Sequence, residues 1–184
     1  VGKSYGRQDA ISDVSQLAIR DGCVDVALNT QVLEHVERPE AVLAELYRVL
    51  KPGGKLYLSV PQGDPEHEVP YDYYRFTSFG MRYLLKRAGF EIIFVEPRGG
   101  YFWYMGNRLR HLPTFIFPAA QTRVQRILRY PRYPLKLACQ IIFELVTPLL
   151  CFYLDKLDQT KAFTQGYLCY SRKPYALAAG PSFK

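Results

Sequence analysis

The chain has 184 residues, 48% hydrophobic and 22% charged, a globular balance with room for one sizeable core. Its formal charge of +7 is carried by one segment: between Arg98 and Lys161, ten lysines and arginines face only Glu144, Asp155 and Asp158. The start, VGKSYGRQDA, reads as no secretory signal, and Cys23, Cys139, Cys151 and Cys169 lie far apart without a CxxC pair, which excludes a disulfide or zinc-finger framework and fits reduced thiols of a cytosolic protein.

Residues 1–22 carry little periodicity. Ala10-Ile11 reads as the end of a strand, Ser12-Asp13 as a turn or cap, and Asp21-Gly22 as a turn. Cys23–Leu28 is a short apolar run, a strand ending in Asn29 and Thr30. Pro39 opens a helix whose apolar residues Ala41, Val42, Leu43, Leu46, Val49 and Leu50 recur at the helical period. Lys51 is expected in its last turn, where a cation suits the helix dipole, and Pro52-Gly53-Gly54 is expected to stop it. Lys55–Val60 is a second strand closed by Pro61, so the whole is one β-α-β unit with parallel strands. Ligands of such sheets bind beyond the carboxyl ends of the strands, which singles out the loops 29–35 and 61–75.

The stretch QGDPEHEVPYDYYRFT has no periodicity and is long for a loop in a compact domain. Thr77 or Ser78 caps a helix over Phe79–Ala88, Gly89 stops it, and Phe90–Val95 is a buried strand. From Pro97 the composition becomes aromatic and basic, with Arg123, Arg126 and Arg129 spaced along one helical face. Pro134–Leu157 is a long apolar helix interrupted at Pro148, and Gly166–Arg172 alternates as a strand before a polar tail.

The run VDVALNTQVLEHVERPEAVLAELYRVLKPGGKLYLSVP, followed by RAGFE at Arg87–Glu91 and a late GYL strand, resembles the class I S-adenosylmethionine-dependent methyltransferases of the broad type 11 group. The resemblance covers about 11–96 and 166–173. It implies an α/β fold: a Rossmann-like sheet whose last strand is antiparallel and inserted between the two before it. The cofactor implied is S-adenosyl-L-methionine. In that family it is cradled by a Gly-rich turn after the first strand and an acidic residue ending the second. The sequence holds neither, since Gly2 and Gly6 do not form the pattern and only 22 residues precede Cys23. The chain therefore reads as a carboxyl-terminal fragment, with a partial methyltransferase domain over 1–96 and 165–174, an insertion over 97–164 and a tail over 175–184. Its sheet should be incomplete on the amino-terminal side, and alone it should bind the cofactor poorly.

By resemblance, Asp13 and the Val14 backbone would hold the cofactor's adenine, and Asn29 and Thr30 its methionine end. Glu34-His35 is similar to the family's EH pair, where the histidine serves either as a general base or structurally. In the following loop, His67 is a second candidate base. Tyr71, Asp72, Tyr73, Tyr74 and Arg75 either orient an acceptor or pin the loop. Methyl transfer needs alignment and exclusion of water more than covalent help. Three scattered histidines give no metal-ligand spacing.

The insertion, basic and aromatic, reads as a lid or as an element on an anionic membrane surface. Its apolar helix is long enough to span a bilayer, but the strands flanking the insertion should pair in one sheet, so the chain must return to the side it left. Nucleic acid is disfavoured, because the arginines alternate with apolar residues and no RNA-binding motif accompanies them. The expected function is methyl transfer to a small-molecule or lipid-linked acceptor. The competing class is a non-catalytic module that binds a membrane or protein partner.

Overall fold

A computed structural model describes residues 12–118 and 133–175. The strand end expected at Ala10-Ile11 and the arginine face of 123–129 lie outside the described residues. The chain divides into two compact units, one of Val1–Pro61, Pro65–Glu96 and Tyr167–Lys184, the other of Gln62–Asp64 and Pro97–Gly166.

The first unit is built on a four-stranded sheet of order β1-β2-β4-β3, with β1 Val24–Thr30, β2 Leu50–Pro61, β3 Glu91–Pro97 and β4 Gly166–Arg172. β1 and β2 are parallel, with Ala27 beside Leu56 and Thr30 beside Ser59. β4 lies between β2 and β3, as the resemblance implies. It runs against both: Lys173 at its end exchanges backbone hydrogen bonds with Gly53 and Gly54 near the start of β2, and Arg172 pairs with Glu91 at the start of β3. Helix α1 (Pro39–Val49) has proline in its first turn, and helix α2 (Ser78–Arg87) is capped by Thr77, whose Oγ1 accepts from Gly80 N at 3.0 Å. Their buried residues Val42, Leu43, Leu46, Met81 and Leu85 join Leu56, Leu58, Val60, Val95 and Cys169 of the sheet in one core. Alternation places Val26 and Leu28 of β1 on the opposite side, where they are 53% and 74% exposed.

Three expectations change here. The Pro52-Gly53-Gly54 run does not follow the helix as a separate turn; α1 already ends at Val49, and the run lies inside β2 as an irregularity in its pairing with β1. Gly53 takes φ +79°, which favours glycine; the Tyr175 ring that a Cβ there would meet is the far end of an exposed side chain and can swing aside. Lys51, pulled out of the helix, donates from Nζ to both Asp25 oxygens at 2.8 and 2.9 Å instead of serving the helix dipole. Cys23 lies just before β1 and is half-buried, with Sγ donating to Arg20 O, rather than inside a buried strand.

The second unit contains α3 (Tyr101–Leu109), α4 (Leu112–Ile116) and one long helix, Tyr133–Leu157. The long helix is not interrupted at Pro148. It widens into a π-helical stretch over Ile141–Val146 and resumes as α-helix at Thr147, so the altered bonding pattern falls on the turn where proline's missing N–H would leave a carbonyl unpaired. The start of α3 is held by two remote carboxylates. Asp155 accepts from Gly100 N at 3.0 and 2.9 Å and from Trp103 N at 2.9 Å, and Asp158 accepts from Tyr101 N at 2.8 Å. Negative charge at a helix start is favourable, and Lys161 balances it through a 2.6 Å contact with Asp155.

Candidate functional site

The carboxyl ends of β1 and β2 deliver two loops to one edge of the first unit. Past β1, Gln31 turns the chain with φ +52°, its N–H donating to Ser59 O and its side chain to Ser59 Oγ. A single 3-10 turn, Leu33–His35, follows, with Leu33 in the core and Glu34 fully buried beside it. Past β2, residues 65–75 form no regular element and are tied to that turn: Tyr73 N and Tyr74 N donate to Glu34 O at 2.8 and 3.3 Å.

The loop is braced by its own side chains. Arg75 forms a fork on Asp72, at 2.8 Å to Oδ1 and 2.7 Å to Oδ2, and donates again to Pro65 O. His67 N donates to Asp72 Oδ2 at 2.9 Å. Arg75 beside it, against the opposing effect of burial, holds the Asp72 carboxyl far below the usual carboxylate range. Tyr74 donates to Glu37 O at 2.8 Å and Tyr73 to Glu37 Oε1 at 3.4 Å, whereas Tyr71 turns outward and is 63% exposed. The hydroxyls of Tyr73 and Tyr74 and the Arg75 guanidinium thus brace the loop, while the Tyr71 ring is exposed.

His35 and His67 meet, edge to face, with ring centroids 4.7 Å apart. His35 Nδ1 lies 2.7 Å from Tyr71 O and His67 Nδ1 3.0 Å from Pro65 O. A carbonyl only accepts, so each neutral ring carries its proton on Nδ1 and its lone pair on Nε2. Glu34, adjoining, has both carboxylate oxygens buried without a hydrogen-bond partner among the described residues. Burial pushes its carboxyl above the ordinary range, and its own backbone amide and the charges of His35, His67 and Arg75 pull the other way. Among the described residues, Glu34, His35 and His67 form a group whose ligand atoms all lie within 4.8 Å of one another. Histidine spacing along the chain does not reveal it; the one local signal is a glutamate set among Val32, Leu33 and Val36.

Asn29 is 5% exposed at the end of β1, and its Oδ1 is a buried acceptor without a partner among the described residues. Thr30 beside it is exposed. An orphaned carbonyl at this strand end fits a donor such as the ammonium of an amino-acid moiety. Asp13 and Val14 lie elsewhere in the unit: Asp13 is exposed and closes a local turn, accepting from Ser15 N and Oγ at 2.8 and 2.7 Å, which holds its carboxyl below the ordinary value. That segment is strapped to α1, where Leu17 N donates to Glu45 and Arg48 pairs with Glu45 and Asp21. No hydrogen bond joins Asp13 or Val14 to Asn29 or Thr30 among the described residues. The chain thus offers one wall for a nucleoside-amino-acid cofactor, without a Gly-rich cradle.

Residues 3–58 match a family model described as a methyltransferase domain. Over 86 residues the chain is 31% identical to a protein of Mycolicibacterium smegmatis described as a probable S-adenosylmethionine-dependent methyltransferase, covering 44% of this chain and 34% of that protein. Over 53 residues it is 42% identical to an arsenite methyltransferase of Aquipseudomonas alcaligenes, covering 29% and 15%. The chain thus spans about a third or less of these curated relatives. Among solved structures, the cyclase SpnF aligns with TM-score 0.54 at 21% identity over 91% of this chain and 57% of its own. A methyltransferase of Methanosarcina mazei aligns with TM-score 0.50 at 16% identity over 91% and 67%. Those likenesses concern the fold, and a cyclase among them shows that the fold alone does not fix the chemistry. The matched segment is similar to a methyltransferase domain over about a third of the chain, and the sheet with its inserted, antiparallel last strand has the Rossmann-like fold of these structures.

Proposed function

We propose that this chain supplies the acceptor side of a methyl-transfer site that uses S-adenosyl-L-methionine. The observation that carries this reading is the buried, unpartnered Asn29 Oδ1 at the end of β1, opposite a self-braced loop after β2, within the stretch that matches the family. The cofactor brings a methyl group on a sulfonium; the chain's residues hold and align. Asn29 and the backbone at Thr30 would receive the methionine end, and the Tyr71 ring would cover the acceptor. His35 or His67 would take a proton from an oxygen or nitrogen nucleophile at Nε2, because Nδ1 of each ring is engaged with a carbonyl. The test is calorimetric titration with S-adenosylhomocysteine, on the polypeptide encoded by its complete reading frame. Binding weakened by more than about tenfold in Asn29→Ala supports the reading. Absence of binding to the unaltered polypeptide sinks it.

A lipid-linked acceptor is favoured by a separate observation. The helix Tyr133–Leu157 has a mean hydropathy of 1.9, is long and apolar enough to cross a membrane, and has only 6% of its apolar window buried. The strands that flank the insertion are neighbours in one sheet, which supports a helix lying along an anionic membrane surface rather than crossing it. Sedimentation with vesicles of anionic phospholipid at low salt is expected to carry the chain into the pellet, and Leu145→Glu/Leu149→Glu to leave it in solution. Equal pelleting of both would remove the helix from the account.

A further inference from the structure

We propose that Glu34, His35 and His67 form a binding site for a divalent first-row transition-metal ion, with two imidazole nitrogens and one carboxylate as ligands. Three observations converge on it. One ligand atom from each residue lies within 4.8 Å of the others, and His35 Nε2 stands 4.0 Å from Glu34 Oε1. Both rings are oriented as metal-binding histidines are, by an Nδ1–H donated to a backbone carbonyl, which fixes the tautomer and frees Nε2. Glu34 is fully buried with neither oxygen bonded, a costly arrangement for a carboxylate unless something cationic meets it.

The alternative cation is Arg75, and its guanidinium is forked onto Asp72 at 2.7 and 2.8 Å. Asp72 also takes the His67 N–H, so it braces the loop while Glu34 is left facing the two rings. A tetrahedral ion with bonds of about 2.0–2.1 Å sets its ligand atoms roughly 3.4 Å apart. Its widest separation must therefore contract by up to about 1.4 Å, a movement assigned to rotation of the half-exposed His67 side chain on its loop. Two imidazoles and a carboxylate suit zinc or iron(II) and leave coordination positions open for water or a substrate oxygen. With the ion bound, the Nε2 lone pairs of His35 and His67 would be its ligands, so an oxygen acceptor bound there would lose its proton to solvent at neutral pH rather than to either ring. That consequence rests on the methyl-transfer reading; the metal binding does not.

The test is a titration of the chelator-treated chain with Co2+, followed by visible absorption, and with Zn2+ by calorimetry. One ion per chain is expected, with the d–d bands of a low-coordinate Co2+ site. His35→Ala and His67→Ala should each weaken binding by more than about tenfold, while His111→Ala, outside the group, should leave it unchanged. Glu34→Gln keeps the shape and removes the charge. Because Glu34 is in the core, its folding is checked by circular dichroism, and His67→Ala on the loop carries the decision if it misfolds. No Co2+ spectrum with the unaltered chain, or equal affinity in His67→Ala, overturns the site. Failure of S-adenosylhomocysteine to bind would leave the Co2+ spectrum untouched, so the two readings fail separately.

Discussion

Cys169 shows how burial alone sets reactivity. It lies in β4 in the core, and burial, against the opposing charge of Arg82, pushes its thiol up to about 12. The thiolate is the nucleophile, so Cys169 should be inert while the fold lasts. Iodoacetamide at pH 8 is expected to label the half-buried Cys23 and Cys139 in the native chain and to reach Cys169 only after unfolding. Mass spectrometry showing Cys169 labelled as fast as Cys23 would contradict this. That Cys169 is a core residue was legible from the alternation of Gly166–Arg172. The displacement of Cys23 from its strand was not, because an apolar run does not say at which residue pairing begins. Glu34-His35 was singled out by resemblance, but its grouping with His67 was illegible for another reason. A buried carboxylate is defined by what surrounds it in space, and its companion His67 arrives from a loop that only the parallel β1–β2 pair brings alongside.

Capping decides the fate of individual elements. In α3 the cap comes not from the preceding residue, Gly100, but from Asp155 and Asp158, over fifty positions later. Hydrogen bonds from Tyr101 N and from Thr160 hold the Asp158 carboxyl down at about 2, against an ordinary value of 3.8. For Asp155, burial works upward, but Lys161 and the amides of Trp103 and Gly100 outweigh it and leave the carboxyl below its ordinary value. A depressed carboxylate stabilises the fold above its unfolded value, and that stabilisation is lost as the pH falls through the folded one. The window is therefore about pH 4 down to about pH 2. Trp103, the single tryptophan of the chain, sits in this turn. Its fluorescence should change within that window at constant ionic strength, and the change should shrink in Asp158→Asn. An unaltered profile in the variant would show that Asp158 does not hold the helix. Periodicity revealed the long helix, but not α3 or α4, nor this cap, nor the π-helical turn that carries the long helix past Pro148; the cap and that turn arise from hydrogen bonds that a hydropathy pattern does not encode.

The sheet of the whole molecule has an unusual dependency. β2 and β3 are both present by Pro97, yet neither pairs with the other; each takes its partner from β4, which begins at Gly166. Among the described residues, the strand that joins them is thus the last regular element, after the basic, apolar insertion. Non-local pairing of this kind is slow, since the loop must close before any contact repays it. During synthesis at about 5–20 residues per second, the edges of β2 and β3 stay unpaired for several seconds while the long apolar helix emerges beside the ribosome. A nascent chain in that state presents bare strand edges and bare helix together, which is the surface that holdase chaperones bind. A chain truncated before β4 would keep those edges unpaired, so the seven residues of that strand are what completes the sheet.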